Sequence, residues 1–384
     1  MKFLKLFFFS FFLYASSVAS NDINLSNENN RFEVLDKTKN SFKIVNQINQ
    51  INTNKIKTEY GDFIKLTVPY YSTNSEIGTP ELPSLMKLIS VPNASEVDIT
   101  IINKASKKIK LSDFGINDKI LPNQPSISKS ANEDEIIFHI NESSYKIDDL
   151  SNAKLVSTEF LGKMRGVQLA RIIISPFSYN PVKQEIEVVT NLEIEIKFNV
   201  KNNQSINQTY YSAEFEHLYK KCINYLPPTP EDIITTYPVK YVIVSDPLFQ
   251  NALQPFVEWK TKKGFHIIEA YTNDPNVGTT TTSIKSFVEN LYNNATVNDP
   301  APTYLLLVGD IAQIPSFSGN SGSHVSDLYY CEFDGGGDFY PEMYYGRFSG
   351  NTIDEIENQI EKSLTHEKYL FADPNFLDDI VLVA

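Results

Sequence analysis

Cysteine, histidine and positive charge are all scarce in this 384-residue chain, and each shortage excludes something. Only Cys222 and Cys331 are present. Two cysteines cannot make a disulfide framework, and because these two fall in stretches of different character, both are read as unpaired thiols. The five histidines, His139, His217, His266, His324 and His366, are scattered, and no two are four residues apart. That excludes the His-x-x-x-His pair of a zinc hydrolase. Lys+Arg total 34 against 47 Asp+Glu, a net charge of -13. Such a balance argues against nucleic acid or an anionic membrane as the main partner and suits cation binding. Gly335 to Gly337 is not followed by Lys-Ser/Thr and has acidic neighbours, so it is no phosphate loop.

Long hydrophobic runs are missing as well. Leu6 to Tyr14 falls well short of the roughly 20 residues that cross a bilayer. With Lys2 and Lys5 before it and Ser17-Val18-Ala19 after it, residues 1–20 read as a secretory signal peptide. The protein is therefore expected to be secreted or held at the cell surface, with no transmembrane segment. What the chain does have is 41% hydrophobic and 12% aromatic residues, ample for the cores of two or three globular domains.

Residues 21–226 read as a β-rich domain. Phe63–Val68, Val97–Ile102, Ile136–Ile140 and Leu192–Phe198 carry β-branched or aromatic residues, several in alternation, which gives one packed and one wet face. A sandwich or jelly-roll is the expected closure, with a helix only at Tyr210 to Tyr225. Gly78-Thr79-Pro80-Glu81-Leu82-Pro83 reads as a rigid corner running into an edge strand at Leu88–Pro92. Pro227, Pro228 and Pro230 mark a stiff hinge over residues 227–238.

Beyond the hinge, strand and helix alternate, which predicts an α/β domain with a largely parallel sheet. Val239–Ser245 is a strand, and Asp246 caps a helix running to Lys263, with Gly264 as its stop. Phe265–Tyr271 is the next strand, and Ser283 caps a helix with Ile284, Phe287, Val288, Leu291 and Tyr292 on one face. Tyr304-Leu305-Leu306-Leu307-Val308 is an unbroken apolar run, the mark of a strand buried on both faces, and Asp310 sits just past its carboxyl end. A short strand at Met343–Arg347 leads to a helix opened by a Thr352/Glu355 capping box and reaching about Leu370. Asp379–Ala384 reads as the start of another strand, so the α/β domain of residues 239–384 is expected to be incomplete.

The loop between these elements carries the chemistry. Asp334, Asp338 and Glu342 sit on glycine-rich backbone, and Asp338, Tyr340 and Glu342 alternate, so an extended turn can aim two carboxylates and one carbonyl the same way. Oxygen donors on a loop that folds sharply are the material of a calcium site. Cys331 lies beside these acids, which raise a thiol pKa, and it reads as packed rather than nucleophilic. Asp327 reads as the cap of the turn before Leu328.

In order, Gly78-x-Pro80-x-Leu82-Pro83, the proline-rich hinge, Tyr304-Leu305-Leu306-Leu307-Val308-Gly309-Asp310, Ser326-Asp327-Leu328-Tyr329-Tyr330 and Gly346-Arg347-Phe348 resemble the gingipain family of secreted cysteine peptidases. The resemblance implies an all-β propeptide domain followed by a caspase-like α/β peptidase domain. It also implies synthesis as a zymogen in which the propeptide is an intramolecular inhibitor, and hydrolysis of protein or peptide substrates by a Cys/His pair. The family's Cys and His positions lie beyond residue 384, so no catalytic residue is assigned here. By the same resemblance, structural calcium ligands fall on Asp310, Phe333, Asp338, Tyr340 and Glu342, with Asp334 as the alternative to Phe333. The rival reading is a non-catalytic, calcium-stabilised surface-binding or secretion-linked protein of the same fold.

Overall fold

The computed structural model describes residues 22–73, 75–92, 96–128, 136–151, 153–199, 209–227, 237–320, 324–335 and 338–378. Residues 1–20, expected as a signal peptide, residues 228–236 of the expected hinge and the run 379–384, expected as a strand, lie outside them. The described residues fall into two compact units, bounded as Met1–Lys87, Asp98–Thr158 and Ile172–Lys197 for the first and Leu88–Val97, Glu159–Arg171 and Phe198–Ala384 for the second.

The first part of the chain is built of strands: β1 (Ile23–Asn24), β2 (Arg31–Leu35), β3 (Ser41–Gln47), β4 (Gln50–Thr58), β5 (Gly61–Thr67), β6 (Ser72–Thr73), β7 (Pro83–Val91), β8 (Glu96–Lys110), β9 (Lys119–Ile120), β10 (Val156–Met164), β11 (Val167–Ile174), β12 (Phe177–Asn180) and β13 (Glu185–Asn199). They form sheets of order β1-β4-β5-β9, β10-β11-β7-β6 and β12-β13-β3-β2, with β8 also on β13. Alternation decides the faces. Phe42 and Ile44 of β3 point inward opposite Ile196 and Ile194 of β13, each fully buried or nearly so. Ile51, Ile64 and Leu66 from the first sheet share one core with Phe177, Tyr179, Ile186 and Val188 from the third, so the two sheets close as a sandwich. Each such side chain contributes about 1.5–3 kcal/mol by leaving water.

Two expectations fail here. Ile136–Ile140 is no strand: the backbone N–H of His139 goes to the Gln124 side chain, whose amide in turn donates to the His139 carbonyl. Between Tyr210 and Tyr225 only a 3-10 turn (Ala213–Phe215) and the four-residue α1 (Glu216–Tyr219) form. In addition, β7 begins at Pro83 itself, and the two-residue β6 flanks it at Pro83 and Ser84.

The later part comprises β14 (Lys240–Ser245), α2 (Gln250–Lys262), β15 (His266–Tyr271), α3 (Thr281–Asn293), β16 (Tyr304–Val308), the short pair β17 (Phe317–Ser318) and β18 (Val325–Ser326), β19 (Tyr344–Phe348) and α4 (Ile353–Glu367). β15, β14, β16 and β19 lie side by side in that order, all parallel. Successive residues serve opposite faces. Val242, Val244, Leu305 and Leu307 pack with Ile284 and Val288 of α3 on one side. Ile243, Leu306 and Val308 pack with Leu253 and Phe256 of α2 and Ile356 and Ile360 of α4 on the other. Both faces are covered, which is why β16 reads as an unbroken apolar run.

The helix ends follow side-chain chemistry. Asp246 accepts from Leu248 N at 2.8 Å and opens the turn into α2. Thr352 and Glu355 form the expected capping box on α4, which ends at Glu367. For α3 the N-cap is Thr280, with Ser283 returning the bond as its third residue, so the cap lies three positions before the one expected.

Candidate functional site

Parallel pairing of β16 with β19 fixes two edges. Tyr304 lies opposite Tyr344 at the amino edge and Val308 opposite Phe348 at the carboxyl edge. Four steps of about 3.3 Å separate the edges by roughly 13 Å. Asp310 lies just past the carboxyl edge, where Ser349 Oγ and Asn351 Nδ2 donate to its carboxylate at 3.0 and 3.1 Å. Arg347 spans the same edge, donating to the carbonyls of Gly309 and Ile314 and, through two nitrogens, to Asp327 at 2.7 and 2.8 Å. Asp327 does stand at the N-cap position of the turn Leu328–Tyr330, but its side chain makes no capping bond, since its carboxylate is taken by Arg347 and by Ser316 Oγ at 2.8 Å. Burial works against its charge, but these hydrogen bonds outweigh burial and hold the carboxyl below its ordinary value.

The acidic loop lies at the amino edge, because Glu342 is two residues before the start of β19 at Tyr344. Phe333, Asp338, Tyr340 and Glu342 come together there, and Asp334 joins them; Asp310, at the opposite edge, does not. One ion cannot be shared by all five expected ligands. Within the loop, Phe333 N donates to Glu342 Oε2 at 3.3 Å and Tyr340 N to Asp338 Oδ1 at 2.9 Å. Glu342 is 1% exposed, and its Oε1 is buried with no hydrogen-bond donor. Burial, and then the neighbouring Asp334 carboxylate, push the Glu342 carboxyl up to about 9. A buried carboxylate oxygen facing another acid needs a proton or a cation. The donor set therefore fits a hard cation by chemistry, although among the described residues no three acidic, histidine or cysteine side chains meet in a ligating arrangement.

Neither thiol is arranged as a nucleophile. Cys331 is fully buried, and burial followed by Glu342 raises it well above the ordinary thiol value. Cys222 is 2% exposed and is pushed up to about 12 by burial.

Sequence reasoning missed the residues that meet this loop from the β10–β11 hairpin. The hairpin turns on Arg165-Gly166, with φ of 50° and 75°. That is the two-residue geometry in which both positions favour glycine or asparagine. Holding arginine there costs about 1–2 kcal/mol. The Arg165 guanidinium is nonetheless buried, donating to the carbonyls of Tyr210 (2.7 Å), Pro302 (2.8 Å), Glu342 (2.7 Å) and Ala301 (3.3 Å). The rings of Phe215 and Tyr292 lie 5.1 and 5.6 Å from its Cζ. Beside it, Lys163 N donates to Asp338 Oδ2 at 2.7 Å and Lys163 Nζ pairs with Asp334 at 3.3 Å. Gly162 passes so close that a Cβ would meet Asp338 Oδ1 at 2.4 Å. The one signal in the sequence was a two-residue turn ending in glycine between β-rich runs.

With this geometry established, comparison with known proteins gives the class. The family model for the C25 propeptide matches residues 23–223, and that for peptidase family C25 matches residues 234–384. The chain belongs to the C25 family of cysteine peptidases, propeptide included. Lys-gingipain W83 of Porphyromonas gingivalis is 34% identical over 353 residues, covering 90% of this chain and 20% of the relative. Gingipain R2 of the same organism is 25% identical over 316 residues, 81% of this chain and 41% of its own length. The chain thus spans about a fifth of the length of Lys-gingipain. A structure solved to explain the zymogenic latency of gingipain K from Porphyromonas gingivalis aligns over 47% of this chain and 98% of its own, at 29% identity and TM-score 0.45.

Proposed function

We propose that this chain is the propeptide and the leading part of the catalytic domain of an exported cysteine endopeptidase. The carrying observation is the order of the two family matches, propeptide before peptidase, along nearly the whole chain. Residues 1–20 act as the export signal, delivering the protein to the cell surface or beyond. Residues 21–226 are the propeptide and intramolecular inhibitor, 227–238 the hinge, and 239–384 the front of the peptidase domain. The substrates are proteins or peptides. The burial of both thiols supports the reading that the reactive Cys, with its His partner, lies outside residues 1–384. That pair would attack the scissile carbonyl and pass a proton to the leaving amine.

Calcium is proposed as a structural ion at the amino edge, held by Asp338 and Glu342 with Asp334 and the carbonyls of Phe333 and Tyr340. Its support is the donor-less Glu342 oxygen. When bound, it would neutralise the clustered carboxylates and stiffen the loop.

The test is a thiol-reactive peptide probe applied to the product of the complete reading frame, before and after cleavage within residues 228–236. The expected result is labelling of one cysteine outside this chain, stronger after cleavage. No labelling and no peptide hydrolysis after cleavage would replace the enzyme with a non-catalytic relative.

A further inference from the structure

Arg165 combines two costs that a surface hairpin would avoid. It occupies a left-handed turn position where glycine or asparagine fits freely, at φ 50°. It also buries a guanidinium whose hydrogen-bond partners are neutral: four main-chain oxygens and no carboxylate. A lysine could not replace it, because an ammonium is a compact, strongly hydrated point charge, whereas the guanidinium is planar, weakly hydrated and spreads its donors in a fork. The walls fit the same ligand. Phe215 and Tyr292 offer ring faces to the cation, and Tyr210 stacks on Tyr292 with centroids 4.8 Å apart.

We propose that the main-chain oxygens of Tyr210, Ala301, Pro302 and Glu342, walled by Phe215 and Tyr292, form a guanidinium-binding cage whose resident ligand is Arg165, and that this cage anchors the β10–β11 hairpin at the amino edge of the α/β sheet. The inference goes beyond the peptidase reading, since every group in it belongs to this chain. Ala301, Pro302 and Glu342 lie at the entrances to β16 and β19, so the anchor grips the sheet through backbone. Lys163, with its N–H on Asp338 and its ammonium by Asp334, sets the hairpin's register beside the cage.

The experiment is thermal unfolding of the full chain and its Arg165→Gly, Arg165→Asn and Arg165→Lys variants, with methylguanidinium or methylammonium added well below denaturing concentrations. Glycine and asparagine relieve the turn but empty the cage, so both should melt several degrees below wild type, as should lysine. Methylguanidinium should raise the melting temperature of Arg165→Gly and leave wild type without a gain, and methylammonium should do neither. Arg165→Asn melting at or above wild type, or Arg165→Gly responding equally to both cations or to neither, would overturn the cage. Should the variants fail to fold, wild type still decides. The Arg165 Nε–H resonance should exchange with solvent far more slowly than those of exposed arginines, and exchange at the exposed rate refutes the proposal.

Discussion

Burial governs the reactive side chains one by one. Cys222 and Cys331 are shut away from solvent and raised in pKa, so the folded chain should not react with a thiol reagent at pH 8, and both should react once it is unfolded. Fast labelling of Cys331 in the native state would contradict the packing of the α3 face. Glu367 is the opposite case. Burial pushes its carboxyl up, but hydrogen bonds from Lys260, Lys263 and Trp259 outweigh that and hold it at about 2, against an ordinary 4.5. A depressed carboxylate stabilises the fold above its unfolded pKa and loses that contribution as pH falls toward the folded one. The chain should therefore lose stability between about pH 4.5 and 2, and Glu367→Gln should flatten that part of the profile; an unchanged slope would show that the ion pairs carry nothing. For the acidic loop, replacing Asp338 and Glu342 together by Ala should abolish a calcium-dependent rise in melting temperature. A calcium response equal to wild type would remove the ion from this loop.

At the scale of elements, β16 shows what a sequence can reveal. Leu305, Leu306 and Leu307 are buried on alternate faces between two helical layers, so no other placement satisfies three adjacent leucines. Leu307→Ala should cost about 2–5 kcal/mol in denaturant unfolding, and a loss below 1 would mean that the α3 face repacks. The Thr352/Glu355 box was equally legible, because capping is local chemistry. Ile136–Ile140 misled for the converse reason. β-branched composition makes a strand only where a partner offers a ladder, and Gln124 took those bonds instead. The Tyr210–Tyr225 stretch lost its helix to distant partners, among them Asn224, which exchanges bonds with the Ser90 backbone at 2.9 and 2.8 Å. The cage around Arg165 was illegible in principle, since its acceptors are carbonyls that every residue possesses. Asp310 was grouped with the acidic loop by the resemblance alone, and a motif does not say which edge of a sheet a residue reaches.

For the molecule as a whole, the compact unit holding the parallel sheet also holds residues 88–97, 159–171 and 198–223, all drawn from the propeptide match. Cutting within residues 228–236 should therefore leave two pieces that elute together on gel filtration, and their separation at physiological salt would contradict this packing. Arg165 meets Glu342 across 177 residues of chain. At roughly 5–20 residues per second of synthesis, the hairpin tip is made some ten to thirty-five seconds, by order of magnitude, before its last acceptor exists. The unit cannot close while the chain is still growing through that interval. Its assembly waits on the ribosome, and a slow codon run or a chaperone acting between those two positions would reach this fold at its most unfinished moment.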